Sequence, residues 1–300
     1  MNSKFPIVKN FKIFGIISIL LCATGLVALL GLPFGLNLFN FTIDFVGGTE
    51  MEFNMKQAVT ADIESQVAGL FKEVAGVDGS VTAAGNSGEQ VVIRSTSIDS
   101  ETRAQVISKM NETFGLTDDD LYGNEDVSPT VGSDLQRAAI MAAAVAIALM
   151  LIYIAFRFEL TSGLAAITCL VHDMLIMISV FVIFRLPVDG NFIAAVLTIL
   201  GYSINASIIV FDRVRENLHN ARRETFEEVA EKSIWQTLGR TINTTLTTMF
   251  AVGAIYLLGV DSLKDFTLPL LIGFVAGGYS SICLASSLWG SYRKLLKRKA

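Results

Sequence analysis

Six long apolar runs constrain the fold of this chain more than any other feature of its sequence. The first extends from Ile13 to Leu32, and five more follow a polar segment that ends near residue 136. A helix needs about 20 apolar residues to cross the hydrocarbon core of a bilayer. The runs therefore predict six membrane-spanning helices, at residues 13–32, 137–156, 161–183, 191–211, 242–260 and 266–290.

The first run could be mistaken for a signal peptide, because Lys4, Lys9 and Lys12 precede it. It is longer than the apolar part of a signal peptide, and no clear small-residue cleavage site follows it. We therefore interpret it as an uncleaved first span.

The distribution of Lys and Arg predicts the orientation of the spans. Basic residues are concentrated in residues 1–12, in the 212–241 loop and in the 291–300 tail, where they include Lys4, Arg222, Arg298 and Lys299. Segments of this kind stay in the cytoplasm. Both termini are therefore expected in the cytoplasm of a multi-pass protein of the cytoplasmic (inner) membrane, with the acidic segment 33–136 outside.

The exterior segment has the pattern of a small α+β domain. Strands are expected near 48–55, 79–84, 89–95 and 125–131, with a turn at 85–88. Helices are expected from Thr60, a typical N-cap residue, and over 100–114. The order β-α-β-β-α-β is that of the ferredoxin-like fold. The predicted fold class is an α-helical polytopic membrane protein with a ferredoxin-like extracytoplasmic domain.

The 212–241 loop contains a further predicted helix at 223–238. Its apolar and small residues recur at helical spacing, at Phe226, Val229, Ala230, Ser233 and Ile234. It is expected to lie either on the membrane surface or against the bundle.

Polar residues within the spans are the functional candidates, because a charge at the bilayer centre is unfavourable. Asp173 lies 12 residues after Thr161, or roughly 18 Å along the helix, which is near the midplane. It is predicted either to titrate or carry ions, or to make a structural hydrogen bond within the bundle. For the neighbouring His172 the structural interpretation is favoured.

Span 5 carries polar residues at helical spacing. Arg240, Thr244 and Thr248 share one face of span 5, beside Thr241 and Thr245. This stripe is predicted to face a wet seam or another helix, although Arg240 could instead extend to the cytoplasmic interface.

Spans 4 and 6 are rich in small and polar side chains. In span 4, Ser203 and Ser207 are i,i+4 neighbours, and Asn205 is predicted to be buried and to need a partner. Close helix packing is an equal alternative for span 4. The same packing explains Gly273, Gly277 and Ser280 in span 6.

The sequence offers no sign of an enzyme, a metal site or a cofactor. The chain has two His and three Cys, and all three Cys lie in predicted spans. No zinc-ligand spacing, phosphate-binding loop or nucleophile–base set occurs. No disulfide, cofactor or nucleic-acid partner is expected.

Several strings resemble, in order and over nearly the whole chain, the motifs of the SecF family of protein-export membrane subunits. The strings lie at residues 44–49 (DFVGGT), 163–173, 192–205, 210–217 (VFDRVREN), 238–241 and 265–273. The residues that carry the signature outside the spans and at the cytoplasmic exit are Asp44, Gly47, Gly48, Thr49, Asp212, Arg213 and Arg215.

The resemblance implies half of an RND-type transporter. The other half would be SecD, and the pair would assist SecYEG in moving unfolded polypeptides across the membrane with the proton motive force. YajC and YidC are further partners that the resemblance suggests. The alternatives are a stand-alone RND-like small-molecule exporter and an uncoupled structural scaffold of the translocase.

One position departs from the family pattern. The family commonly has Asp after Gly-Tyr-Ser-Ile-Asn, as a proposed proton carrier, and this chain has Ala206. Three explanations are open. Ion coupling relies on other residues, including residues of SecD, or the chain is an engineered uncoupled variant. The third is a natural lineage that uses a different ion or weaker coupling. Arg240 matches the proposed Arg partner of that carboxylate.

Overall fold

The computed structural model describes residues 6–85, 88–221, 223–260 and 263–297. Lys4, Arg222, Arg298, Lys299 and the middle of the predicted 85–88 turn lie outside these ranges. Within the described residues the helices are α1 (Phe11–Gly31), α2 (Ile43–Val46), α3 (Ala61–Ala75), α4 (Ser100–Phe114), α5 (Pro129–Arg157), α6 (Leu160–Ile183), α7 (Gly190–Asn220), α8 (Phe226–Leu258), α9 (Lys264–Cys283) and α10 (Ala285–Lys297). The strands are β1 (Asn40–Phe41), β2 (Gly48–Asn54), β3 (Ser80–Ala84), β4 (Gln90–Ser95), β5 (Leu121–Val127) and β6 (Pro187–Val188).

The chain divides into two compact units, and Phe41–Met141 forms the smaller one. Its four-stranded antiparallel sheet has the order β3-β4-β2-β5, which is the ferredoxin-like arrangement of a β-α-β-β-α-β chain. The fold class predicted from the sequence is therefore confirmed. The core of the unit consists of side chains from the sheet and from α3 and α4, and its fully buried members include Met51, Phe53, Phe71, Val91 and Met110.

Capping interactions set the ends of the two helices of this unit. The Thr60 side chain accepts a hydrogen bond from the Ile63 N–H, and Asp99 accepts from the first turn of α4. Such caps satisfy backbone N–H groups that have no partner inside the helix. Both helices end at a glycine with positive φ, 69° at Gly76 and 68° at Gly115.

Two glycines of the family-like signature occupy positions where a side chain would not fit. Gly47 and Gly48 have φ of 72° and 127°. A Cβ on Gly48 would lie 2.2 Å from the Ser95 carbonyl oxygen, and one on Gly47 would lie 2.7 Å from the Pro129 Cα. Glycine is required here by backbone conformation and by the close approach of neighbouring chain segments.

The larger unit contains most of the helices that could cross a membrane. In the described residues six helices are long and apolar enough to do so, namely α1 and α5 to α9. About half of the apolar part of α6, α7 and α9 is buried within the chain, whereas only 6% is buried in α5 and in α8. The three inner helices therefore form the centre of the bundle, and α5 and α8 lie at its periphery.

The structure does not separate span 5 from the helix predicted before it. The helix predicted at 223–238 and the span predicted at 242–260 are one continuous helix, α8, and α7 continues to Asn220. Thr225 and Glu228 form a capping box that starts α8, and Gly239 alone does not interrupt it, because a helix tolerates a single glycine at a cost of ~1 kcal/mol. Val229, Ala230 and Ile234 are buried, so the N-terminal part of α8 packs against the bundle.

Two further boundaries differ. The span predicted at 266–290 ends at Cys283, and a separate helix, α10, begins at Ala285. The strand predicted at 125–131 is β5, which ends at Val127, because Pro129 opens α5. Proline favours the first helical position, where its missing N–H would have had no partner.

We predict that Gly48→Ala destabilises the smaller unit by at least about 2 kcal/mol, because alanine disfavours this φ and its methyl group would meet the Ser95 carbonyl. Hydrogen–deuterium exchange of β2 and β4 in the detergent-solubilised chain measures this. Gly69→Ala is the control, since Gly69 is helical and nothing lies within 4 Å of its Cβ position. Equal protection in the two variants would contradict the prediction.

Candidate functional site

A buried carboxylate lies at the centre of the larger unit. Asp173 of α6 is 1% exposed. Its Oδ1 lies 2.8 Å from Nδ1 of His172. Its Oδ2 accepts hydrogen bonds from the hydroxyl of Ser280 at 2.9 Å and from the hydroxyl of Ser203. The carboxylate thus joins α6, α7 and α9.

Small residues permit this meeting of three helices. A Cβ on Gly277 would lie 3.3 Å from Cβ of Ser203 and 3.6 Å from Oδ2 of Asp173. One turn earlier, a Cβ on Gly273 would lie 2.4 Å from the Ile199 side chain. Glycines on one face of α9 therefore bring the backbones of α7 and α9 close enough for both hydroxyls to reach the same oxygen.

His172 is the second titratable group of the site. It is 8% exposed, and its Nδ1 is engaged with Asp173. Its other ring nitrogen, Nε2, is buried and has no hydrogen-bond partner among the described residues. The imidazole ring stacks on the ring of Tyr279, with centroids 5.8 Å apart.

This arrangement suits reversible binding of a proton or a small cation. The two serine hydroxyls donate to one carboxylate oxygen, and the imidazole Nδ1 lies at hydrogen-bond distance from the other. Among carboxylates of the described spans, only Asp173 is buried. No group of three or more His, Cys, Asp or Glu side chains in the described residues could hold a metal ion.

The polar stripe of α8 does not converge on Asp173 in this chain. Arg240 and Thr244 are exposed, Thr245 and Thr248 are half-buried, and Thr241 is 2% exposed. The hydroxyl of Tyr202 in α7 donates to Thr245 at 3.1 Å, which ties the stripe to the next helix. The predicted face therefore exists on α8, and its outer part is not covered by the described residues.

The polar residues of α7 divide between two faces. Ser203, Ala206 and Ser207 are buried, at 1%, 7% and 1% exposure. The prediction that Asn205 is buried is wrong, because the face that packs into the bundle carries the serines and Asn205 points away from it. The Ser207 hydroxyl is buried without a hydrogen-bond partner among the described residues.

The signature residues in the C-terminal part of α7 make contacts between helices. Both carboxylate oxygens of Asp212 lie 2.8 Å from an Arg157 nitrogen, which joins α7 to α5. Arg213 donates to Gln236 of α8 at 2.6 Å, whereas Arg215 is exposed.

The remaining signature residues lie in the smaller unit. The hydroxyl of Thr49 donates to Asp126 at 2.7 Å and accepts from the Ile98 N–H at 3.0 Å. Asp44 is in the first turn of α2. These positions have structural contacts within their own unit.

Sequence reasoning missed two residues of the site. It assigned Ser280 to packing and gave Tyr279 no role. The available signal was the spacing Gly277-x-x-Ser280, since a residue three positions after a contact glycine lies on the same helix face.

Comparison with known proteins identifies the relatives of the chain. The family described as "Protein export membrane protein SecD/SecF, C-terminal" matches residues 106–295. The protein translocase subunit SecF of Acidaminococcus fermentans is 39% identical over 302 residues, covering 98% of this chain and 99% of that protein.

Longer relatives match over part of their length. SecDF of Bacillus subtilis is 35% identical, and the match covers 97% of this chain and 38% of that protein. The crystal structure of SecDF from Thermus thermophilus superposes with a TM-score of 0.83 at 31% identity, covering 98% of this chain and 39% of the other.

We predict that Ser280→Ala destabilises the bundle by about 1.5–3 kcal/mol, because it removes a hydrogen bond to a buried carboxylate. The midpoint of unfolding in dodecyl sulfate measures this. Ser281→Ala is the control, since Ser281 is equally buried but its hydroxyl donates only to the Gly278 carbonyl. Equal shifts for the two variants would show that Ser280 contributes packing alone.

Proposed function

The chain belongs to the SecF family of protein translocase subunits, and on this premise we propose that it is the SecF half of a SecD–SecF complex that uses the proton motive force to assist SecYEG. Its clients are unfolded polypeptides in transit. The observation that carries the proposal is the buried Asp173 at the junction of three helices.

SecD is the partner that the relatives indicate. In the SecDF proteins of B. subtilis and T. thermophilus, the region matched here is 38% and 39% of one longer chain, and further sequence makes up the remaining three-fifths, roughly, of its length. We propose that a separate SecD supplies that portion for this chain. Contacts with SecYEG, and with YajC and YidC, belong to the same proposal and rest on family membership.

The exposed polar stripe of α8 supports pairing with a second half. Arg240 and Thr244 would face lipid if the chain stood alone, and a guanidinium in hydrocarbon is unfavourable. Asn205 of α7 is likewise exposed. A SecD half that covers α7 and α8 would remove all three side chains from lipid. The polar seam predicted along span 5 is, in this proposal, the seam between the two halves.

Asp173 is the carboxylate that we assign to ion coupling. Ala206 lies one turn after Ser203 on the buried face of α7 and cannot titrate. Asp173 accepts a hydrogen bond from Ser203, which lies three residues before Ala206 on the same buried face of α7. Protonation removes the charge that the two serines and His172 stabilise and weakens the tie between α6, α7 and α9.

The energy of a proton gradient is sufficient to weaken the contact between α6, α7 and α9. One charge that crosses a potential of 100 mV releases about 2.3 kcal/mol, which is comparable with a hydrogen bond to a buried charge. Movement of α7 and α9 relative to α6 would follow the protonation state of Asp173. The proposed orientation, with both termini cytoplasmic, is supported by the distribution of Lys and Arg.

We predict that Asp173→Asn lowers export to the level seen without a proton gradient, because asparagine keeps the shape but cannot titrate. The assay is transport of a secreted client into vesicles that contain the translocase and the SecD partner, with and without a gradient. Asp134→Asn, at an exposed aspartate of α5, is the control and should leave export unchanged. Gradient-dependent export in the Asp173 variant at the normal rate would refute the assignment.

A second prediction concerns the departure from the family pattern. Ala206→Asp restores a carboxylate on the same face as Ser203 and is expected to raise gradient-dependent export. Ala206→Asn is the matched control, since it adds similar volume without a titratable charge. An unchanged rate in the Asp variant would mean that coupling in this chain needs no carboxylate at residue 206.

A further inference from the structure

The contact between α1 and the inner helices differs sharply on the two sides of Asp173. On the side toward the C-terminal end of α1, the helices are sealed against each other. A Cβ on Gly25 would lie 2.5 Å from the Leu175 carbonyl oxygen, and the Gly25 N–H donates to the Ser179 hydroxyl at 2.8 Å. Such close backbone contact leaves no space for water between α1 and α6 at Gly25.

Toward the N-terminal end of α1, the same contact is polar. The hydroxyl of Ser18 lies 3.2 Å from the hydroxyl of Tyr279, which donates to the Phe14 carbonyl oxygen at 2.9 Å. Ser18 is 6% exposed and Tyr279 is half-buried. Phe14 lies in the first turn of α1. Hydroxyl groups therefore extend from the level of Asp173 to the beginning of α1.

His172 lies between this polar contact and the carboxylate, with its ring stacked on Tyr279 and its Nδ1 facing Asp173. An ionised carboxylate can only accept hydrogen bonds, so a neutral His172 carries its proton on Nδ1, facing Asp173. Nε2 is then a bare acceptor, buried without a partner among the described residues. A buried acceptor without a partner is unfavourable and calls for an explanation. The ring lies stacked on Tyr279.

We propose that His172, Tyr279 and Ser18 form a one-sided proton path between Asp173 and the end of the bundle where α1 begins. A proton that arrives at Nε2 allows the proton on Nδ1 to move to Oδ1 of Asp173. The product is a protonated carboxyl and a neutral imidazole with its proton on Nε2. The reverse sequence releases the proton, so one proton moves and no other reactant than water is needed.

The titratable side chains around His172 and Asp173 are compatible with proton transfer between these two residues. The titratable side chains in contact with it or beside it are Cys22 of α1, Cys169 of α6 and Tyr279 of α9. Thiols and phenols are neutral near pH 7, so they do not compete for the proton. The path lies on the α1 side of Asp173, whereas Ser203 and the α8 stripe lie on the α7 side.

The inference rests on the proposed function and concerns how the proton reaches its site. Tyr279 and Ser18, the two residues that it adds, contact neither the proposed SecD seam nor the carboxylate of Asp173. They act through His172 and are positioning residues of the path.

The experiment uses the reconstituted translocase with its SecD partner in vesicles, with the pH of each face varied separately. In Ser18→Ala/Tyr279→Phe the aromatic stacking remains and only hydroxyls are lost. Gradient-dependent export should fall at least about tenfold, since a positioned proton-transfer group contributes about 10²–10⁴-fold in rate. Its dependence on the pH of the face where α1 begins should flatten, and its dependence on the other face should remain.

Tyr292→Phe is the matched control. Its hydroxyl lies 2.8 Å from Thr168 of α6, one turn before His172, so the variant loses a comparable hydrogen bond to the same helix. It should export normally.

Each outcome is decisive. If Asp173→Asn abolishes gradient-dependent export but the double variant matches the control, the path is wrong and the proposed function stands. A slower double variant with an unchanged pH profile indicates a structural defect and also overturns the path. If Asp173→Asn exports normally, the assignment of ion coupling to Asp173 fails and the path fails with it.

Discussion

The carboxylate of Asp173 is the constraint on which the arrangement of the inner helices depends. A buried carboxyl group needs hydrogen-bond partners, and here they come from two other helices and from the adjacent histidine. The partners on the other helices reach Asp173 only because Gly277 and Gly273 let α7 and α9 approach closely. The packing of three helices is therefore tied to the state of one titratable group, which is what a device driven by an ion gradient requires.

The periphery of the bundle has the opposite character. Helices α5 and α8 bury 6% of their apolar parts within the chain, and the polar stripe of α8 is largely uncovered. An isolated membrane protein would gain nothing from presenting Arg240 to lipid. In our proposal a SecD half packs on this surface. The SecDF relatives match this chain over 38% and 39% of their own length and therefore contain a further portion.

Much of this architecture was predictable from the residues, and the failures have physical causes. Apolar runs predicted the spans, and the order of strand and helix patterns predicted the ferredoxin-like unit. Asp173 was identifiable because a charge near the midplane is unfavourable. The role of Ser280 was not, because a serine beside glycines is equally typical of helix packing. Asn205 was placed on the wrong face, since i,i+4 spacing groups Ser203 with Ser207 but does not tell which face is covered. The continuity of α8 depends on its packing against the bundle, which a sequence pattern does not report.

The central claim is that Asp173 changes its protonation state when the gradient is applied. Infrared difference spectroscopy of the chain reconstituted with its SecD partner tests this directly, because a protonated carboxyl has a C=O band that an ionised carboxylate lacks. The account predicts a carboxyl band that changes with the gradient, shifts in heavy water and is missing from Asp173→Asn. The same band in the asparagine variant would contradict the account, because another group would then carry the proton.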